Sequence, residues 1–274
     1  MAPQAAAAPL VRAVVIGITG RMGQALVRAA ATLPQIIITG AVASPGSLGL
    51  GRDAGLLAGI AAANLAVTSD LPAALAAADV ALDFSLAAAT PAHLAACRAA
   101  RKPLLIGTTG AGAELEAALT VAARDIALLS AANTSIAVAV LSELTRRAAA
   151  ALPESFDIDI LDLHHRSKRD APSGTALALG AAAARGRGQP PPAAAPVSGP
   201  RAAGQIRFAA VRAGELIGEH TVLFSGPGEE LALTHRACDR AVFAKGALAA
   251  AVWLAAQPPG RYGMSEFLGF KTAT

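Results

Sequence analysis

The chain has 274 residues, 54% of them hydrophobic and only 3% aromatic, and carries a formal net charge of +4. That length can bury one large core or two modest ones. The scarcity of aromatic stacking platforms and the scatter of the basic residues argue against a nucleic-acid binder and leave small anions as the ligands a positive chain attracts.

The N-terminal stretch "MAPQAAAAPL" lacks the charged start and long apolar core of a secretory signal. From residue 11 short apolar runs alternate with Ala-rich helical stretches. "VRAVVIG", "QIIITGAV", "DVALDFS", "KPLLIGT" and "DIALLSA" read as buried strands, with helices such as "RMGQALVRAAATL" and "ATPAHLAACRAA" between them. This alternation predicts a parallel sheet covered by helices on both faces, as far as about residue 132. The longest uncharged run, Ala29 to Gly51, is broken by Pro34, Gly40, Pro45 and Gly46, so it cannot form a spanning helix of about 20 apolar residues.

A different texture follows. "FDIDILDL", residues 156 to 163, starts by alternating Phe156, Ile158 and Ile160 with Asp157 and Asp159, the mark of a sheet with one wet face. "SGTALALGAAAA" predicts a helix, and residues 185 to 204 a Pro/Gly-rich loop. "QIRFAAVRA", "GEHTVLFSG" and "ELALTHR" are expected as three antiparallel strands. "RAVFAKGALAAAVWLAAQ" is a last helix, stopped by Pro258-Pro259-Gly260. The predicted organisation is a dinucleotide-binding domain from residues 1–132 with 239–274, and a substrate-binding and oligomerisation domain from 133–238. Cys97 and Cys238, far apart in sequence, offer no disulfide framework and suit a reducing cytosol. A soluble cytoplasmic protein with no membrane or nucleic-acid partner is expected.

"VVIGITGRMGQAL" places Gly17, Gly20 and Gly23 directly after a strand and at the opening of a helix. Glycine permits the tight turn and a close backbone approach, and the helix N-terminus offers amide donors and a positive dipole end to a pyrophosphate. Arg21 adds a cation beside it. Such a glycine trio can also be a mere packing turn; its place on the first strand of a β-α-β pattern favours the dinucleotide. "IGTTGAG", with Gly107, Thr108 and Thr109, and "SAANTS", residues 130 to 135, end two further strands, where loops of a doubly wound sheet converge on the ligand crevice. Ordinary strand-to-helix turns capped by Ser or Thr would read the same way.

"HHRSKRDAPSGTA", residues 164 to 176, concentrates the titratable chemistry of the chain. Pro172 and Ser173-Gly174-Thr175 begin a helix, where amides and hydroxyls hold a carboxylate. Histidine as a side-chain type exchanges a proton near neutrality, which makes His164 a candidate acid-base group, and Lys168, with cations nearby, a second proton donor. His164 and His165, adjacent on a strand, point to opposite faces, and with no Cys close in sequence no metal site is expected. A solvated charged loop is the bland alternative.

These motifs, with the tail "THRACDRAVFAKGALAAAVWL", resemble those of the 4-hydroxy-tetrahydrodipicolinate reductase family, long called dihydrodipicolinate reductases, over essentially the whole chain after its first ten residues. The resemblance implies a Rossmann-type doubly wound parallel sheet domain plus a second α/β domain with a mainly antiparallel or mixed sheet that builds a homotetramer. It implies hydride transfer from NADH or NADPH to a cyclic unsaturated dicarboxylate, with loss of water and a proton delivered by the enzyme. It makes His164 the acid-base residue and Lys168 its proton-donating partner, with His165, Ser173, Gly174, Thr175 and Arg240 holding substrate. Gly17, Ile18, Thr19, Gly20, Arg21, Met22 and Gly23, then Gly107, Thr108 and Thr109, then Ala131, Ala132, Asn133 and Thr134 would contact the cofactor. Two positions that are usually Glu in the family are Asp159 and Asp162 here, and Ser44 stands where an acidic residue commonly reads the adenosine ribose.

Residues alone also admit another two-domain nicotinamide-dependent dehydrogenase acting on an amino or keto acid, but that reading leaves the full His164 to Ala176 motif without a purpose. A redox-sensing dinucleotide-binding regulator would need a nucleic-acid-binding module, and no helix-turn-helix with a basic recognition face is apparent.

Overall fold

The computed structural model describes residues 10–108, 112–193, 200–201 and 204–270. The chain divides into two compact units: the described residues through Thr134 with Phe243–Gly269, and Ser135–Val242 with Phe270.

In the first unit, β1 (Val11–Ile16), β2 (Ile36–Val42), β3 (Val80–Asp83), β4 (Leu104–Ile106) and β5 (Ala127–Ser130) are the apolar runs expected from sequence. Helices α1 (Arg21–Ala30), α2 (Ala54–Leu57), α3 (Leu71–Ala76), α4 (Thr90–Ala99) and α5 (Ala113–Ala122) lie between them. The strands are parallel, in the order β2-β1-β3-β4-β5. The chain leaves β1 toward β2 and then returns to β3 on the other side of β1, so the reversal point of the sheet lies between β1 and β3. That is where a doubly wound sheet opens a crevice beyond its strand ends. One face of the sheet is closed by a cluster of Val14, Ile16, Leu75, Leu94, Leu104, Leu119 and Leu128. The long C-terminal helix expected from sequence, α8 (Ala241–Leu254), enters this unit from Phe243 onward. The Pro-Pro-Gly stop does not end the fold: Gly260–Tyr262 forms β10, parallel to β5 at the sheet edge, and α9 (Met264–Phe267) follows.

The second unit holds α6 (Ile136–Ala151), β6 (Asp157–His164), α7 (Gly174–Gly186), β7 (Ile206–Arg212), β8 (Glu219–Gly226) and β9 (Glu229–Arg236). Its sheet has the order β7-β6-β8-β9. The expectation of three successive antiparallel strands is corrected here. β8 and β9 are an antiparallel hairpin, but β7 lies on the opposite edge and pairs with β6 in parallel, because the chain reaches β7 by crossing over through α7. The sheet is therefore mixed. On β6 the two-residue period sends Ile158 and Ile160 into a core with Phe224, Leu179 and Val222. The same phase carries two polar residues inward, Asp162 at 0% exposure and His164 at 8%.

Candidate active site

The two halves of the predicted site fall in different units. In the first, Gly17 ends β1 with φ of +88° and Gly20 caps α1 without a side-chain hydrogen bond. A Cβ at Gly17 would stand 2.7 Å from the Phe84 carbonyl oxygen, and one at Gly23 would collide with the backbone of Gly17. Glycine is required at both places because turn and helix are packed backbone to backbone. The N–H groups of Gly17 and Ile18 donate to the Val42 carbonyl, and that of Gly20 to Gly17. The donors that helix geometry leaves without an intrahelical acceptor are those of Arg21, Met22 and Gly23. The side chain of Ile18 is fully buried, so only its backbone faces the turn.

Beyond this turn lies a cavity of about 660 Å³, reaching from Gly17, Thr19 and Gly20 past Ser44 and Pro45 to Phe84 and His93. Among the described residues its lining contains no Asp, Glu, Lys or Arg. Its wall is held by a cluster that the strand reading of "DVALDFS" overlooked. The fully buried Asp83 receives Ser85 Oγ at 2.5 Å and approaches His93 Nδ1 at 2.9 Å. Two polar residues just past an apolar strand, opposite a glycine turn, were the available signal.

Gly107 packs against the Phe84 ring, which occupies the space of a side chain there, and Thr108 Oγ1 reaches the Asp83 carbonyl at 3.4 Å. Thr109 lies outside the described residues. Ala131, Ala132, Asn133 and Thr134 follow β5; the Ala131 N–H donates to the Ile106 carbonyl and Thr134 Oγ1 to that of Phe243. The cavity, its lining without carboxylates, Lys or Arg among the described residues, and the amides of the first turn of α1 fit an extended dinucleotide whose pyrophosphate is held by backbone.

In the second unit, Asp162 is the hub. Its Oδ2 accepts from the Ser173 N–H and from Arg212 Nη2, each at 2.8 Å, and its Oδ1 accepts from Ser173 Oγ at 2.7 Å. His164 Nδ1 approaches Oδ1 to 3.0 Å without the alignment of a hydrogen bond, and His220 Nε2 to 3.2 Å. Burial pushes the Asp162 carboxyl up, but the donors from His164, His220, Arg212 and Ser173 outweigh it and hold the group far below the ordinary range. It is therefore an ionised, acceptor-only group. Asp162, His164 and His220 could offer a cation three ligand atoms within 4.8 Å of one another. The Arg212 guanidinium on the same carboxylate repels a cation there, so the arrangement is suited to hydrogen bonding.

Sheet register explains the convergence: Asp162 stands opposite His220, and His164 opposite Arg212. Arg212 and His220 escaped the sequence reading, and Asp162 was noted only for its charge. Its parity with Ile158 and Ile160 was the available clue.

Ser173 is turned inward. It is 2% exposed, its N–H and hydroxyl both go to Asp162, and its Oγ also caps α7 by accepting from Ala176 N. Gly174 and Thr175 follow it in the first turn of α7. Lys168 Nζ lies 2.9 Å from Asp170 Oδ1, whose own backbone carbonyl accepts from Arg212 Nη2. His165 leaves the strand on the other side and meets Ser167 Oγ at 2.9 Å. Arg240 is exposed at the start of α8, with no hydrogen bond or ion pair to the Asp162 cluster.

Comparison with known proteins adds independent evidence. Residues 11–134 match the family model "Dihydrodipicolinate reductase, N-terminus", and residues 137–268 match "Dihydrodipicolinate reductase, C-terminus". A 4-hydroxy-tetrahydrodipicolinate reductase of Alkalilimnicola ehrlichii is 47% identical, over 94% of this chain and 98% of that protein. One of Anaeromyxobacter dehalogenans is 43% identical, over 96% and 99%. Among solved structures, a dipicolinate-bound dihydrodipicolinate reductase from Paenisporosarcina superposes with a TM-score of 0.74 at 24% identity, covering 94% of this chain and 98% of that one. An amine dehydrogenase from Mycobacterium smegmatis, at 16% identity over 92% and 94%, shares the fold with a TM-score of 0.67.

Proposed function

Since the chain belongs to the dihydrodipicolinate reductase family, we propose that His164 is its acid-base residue, with Lys168 as partner, and that the first turn of α7 holds a substrate carboxylate. The chain is an NAD(P)H-dependent oxidoreductase that reduces 4-hydroxy-tetrahydrodipicolinate to tetrahydrodipicolinate in diaminopimelate and lysine biosynthesis. The cofactor, when bound, supplies the hydride. One hydride and one proton enter the substrate and one water leaves.

The observation that carries the site assignment is the Asp162 hub, which ties His164 to the N-terminal cap of α7 through a single carboxylate. An acid-base group and an anion-holding helix end thus share one rigid support, as a reaction needing both a proton and an oriented dicarboxylate requires. Gly174 and Thr175 offer backbone N–H groups to the carboxylate, with His165 and Arg240 as further anion partners. Lys168, whose Nζ lies 2.9 Å from Asp170 Oδ1, would turn to the anionic substrate as the partner of His164. On the cofactor side, Arg21, Met22 and Gly23 would hold the pyrophosphate. Ser44 would meet the ribose, and Gly107, Thr108, Thr109 and Ala131 to Thr134 the nicotinamide half.

A homotetramer is supported by the outer face of the mixed sheet, where Leu161, Leu163, Leu223 and the 46% exposed Val211 form an apolar centre. Cytoplasmic residence is supported by the biosynthetic role, and no helix among the described residues is long and apolar enough to cross a membrane.

The test is oxidation of NADH or NADPH, followed by absorbance, with freshly generated 4-hydroxy-tetrahydrodipicolinate. His164→Gln is expected to lower turnover by about two to four orders of magnitude with nucleotide affinity unchanged. Near-native turnover removes His164 from the reaction.

A further inference from the structure

We propose that Asp162 is a positioning residue which, held by Ser173 and Arg212, sets the tautomer and the aim of the His164 imidazole. The inference rests on the reading of His164 as the acid-base group.

At Oδ2, Asp162 meets a backbone N–H and a guanidinium N–H, neither of which can ever accept. The guanidinium cannot turn away, because Arg212 Nη1 also donates to the Asp162 and Val211 carbonyls and Nη2 to that of Asp170. The carboxylate is thereby locked with Oδ1 toward Ser173 Oγ, His220 and His164. His164 Nδ1 is buried without an aligned hydrogen bond, and Asp162 Oδ1, 3.0 Å away, is the acceptor that a small turn of the ring brings into line. Neutral His164 therefore carries its proton on Nδ1 and leaves the Nε2 lone pair for proton exchange. Nε2 faces Gly218, where a Cβ would stand only 3.0 Å away, so the missing side chain keeps that nitrogen open.

An amide at position 162 must reverse this arrangement. In Asp162→Asn the side-chain oxygen has to face the two obligate donors at the Oδ2 position. Its NH₂ group then points at His164 Nδ1, which can satisfy it only as an acceptor, and the proton moves to Nε2. In serine proteases the corresponding acid-to-amide change behind the catalytic histidine costs ~10⁴ in kcat through the wrong tautomer.

The experiment is ring-nitrogen NMR of ¹⁵N-histidine-labelled full-length protein at alkaline pH, with His164 assigned by the signals missing from His164→Gln. The wild type is expected to show the Nδ1–H tautomer, and Asp162→Asn the Nε2–H tautomer with kcat lower by about a hundredfold or more. The nucleotide Kd should stay within about twofold. An Nε2–H tautomer in the wild type overturns the proposal even if the variant does not fold. So does a folded Asp162→Asn that keeps the wild-type tautomer and turnover. Full turnover in His164→Gln overturns the acid-base reading itself, and the positioning role with it.

Discussion

The backbone of Gly17 turns directly against that of Phe84, leaving 2.7 Å between the Phe84 carbonyl oxygen and the place a Cβ on Gly17 would take. The contact joins the ends of β1 and β3, which flank the reversal point of the sheet. Gly17→Ala therefore meets a steric clash and a left-handed φ of +88° together. The strained φ alone costs about 1–2 kcal/mol. NADH affinity is expected to fall at least about tenfold, a change of roughly 1.4 kcal/mol, together with a lower melting temperature. Fluorescence titration and a thermal melt check both, and unchanged affinity would show that the turn does not hold the nucleotide.

The cavity beside this turn has no charged lining among the described residues, and its Ser44 is exposed. No carboxylate in that lining repels a 2′-phosphate and no Lys or Arg there pairs with it, among the described residues. NADH and NADPH are expected to be used with efficiencies within about tenfold, or roughly 1.4 kcal/mol. Ser44→Glu should shift preference toward NADH by repulsion of the phosphate. Steady-state kinetics with both cofactors decide it: a hundredfold preference in the wild type would place the selecting residue elsewhere.

Glu143 on α6 accepts from Arg146 at 2.8 Å and from Arg147 at 2.7 Å. The Arg146 hydrogen bond, against the cost of burial and with help from Arg147, lowers its pKa from the ordinary 4.5 to about 2. A depressed folded-state pKa stabilises above the unfolded value and loses that contribution as pH falls through the folded one. The contribution is thus complete above pH 4.5 and disappears between there and about pH 2. Both arginines are partly exposed, which limits the effect to the order of 1 kcal/mol. Glu143→Gln should lower stability by that amount at neutral pH and flatten the curve in the acid window. Urea unfolding against pH measures it, and parallel curves for the two proteins would refute the assignment.

Burial, with the nearby Asp83 charge, pushes the Cys97 thiol up to about 12, whereas Cys238 is exposed. Reactivity follows the thiolate. The folded chain should take up one equivalent of a thiol reagent at neutral pH, at Cys238, and a second only on unfolding. Peptide mass mapping identifies the site, and rapid labelling of Cys97 would mean that the sheet opens far more readily than its packing implies.

What the sequence by itself determined was which face of each segment turns inward and where its backbone must bend. The apolar runs of β1 to β5 read as strands of a helix-covered sheet, and the Gly17 turn as the opening of a helix. "HHRSKRDAPSGTA" announced a cluster of titratable side chains beside a helix end. Periodicity carries no information about which strand lies alongside, so the parallel pairing of β7 with β6 was not legible. The three residues of β10 are too short a run to show a period at all. The fate of Asp162 was decided by tertiary structure alone. A carboxylate stays ionised in a core only where donors replace the water it has lost, and here they come from β7, β8 and the start of α7. Residues 162, 173, 212 and 220 are far apart along the chain, and only folding makes them neighbours.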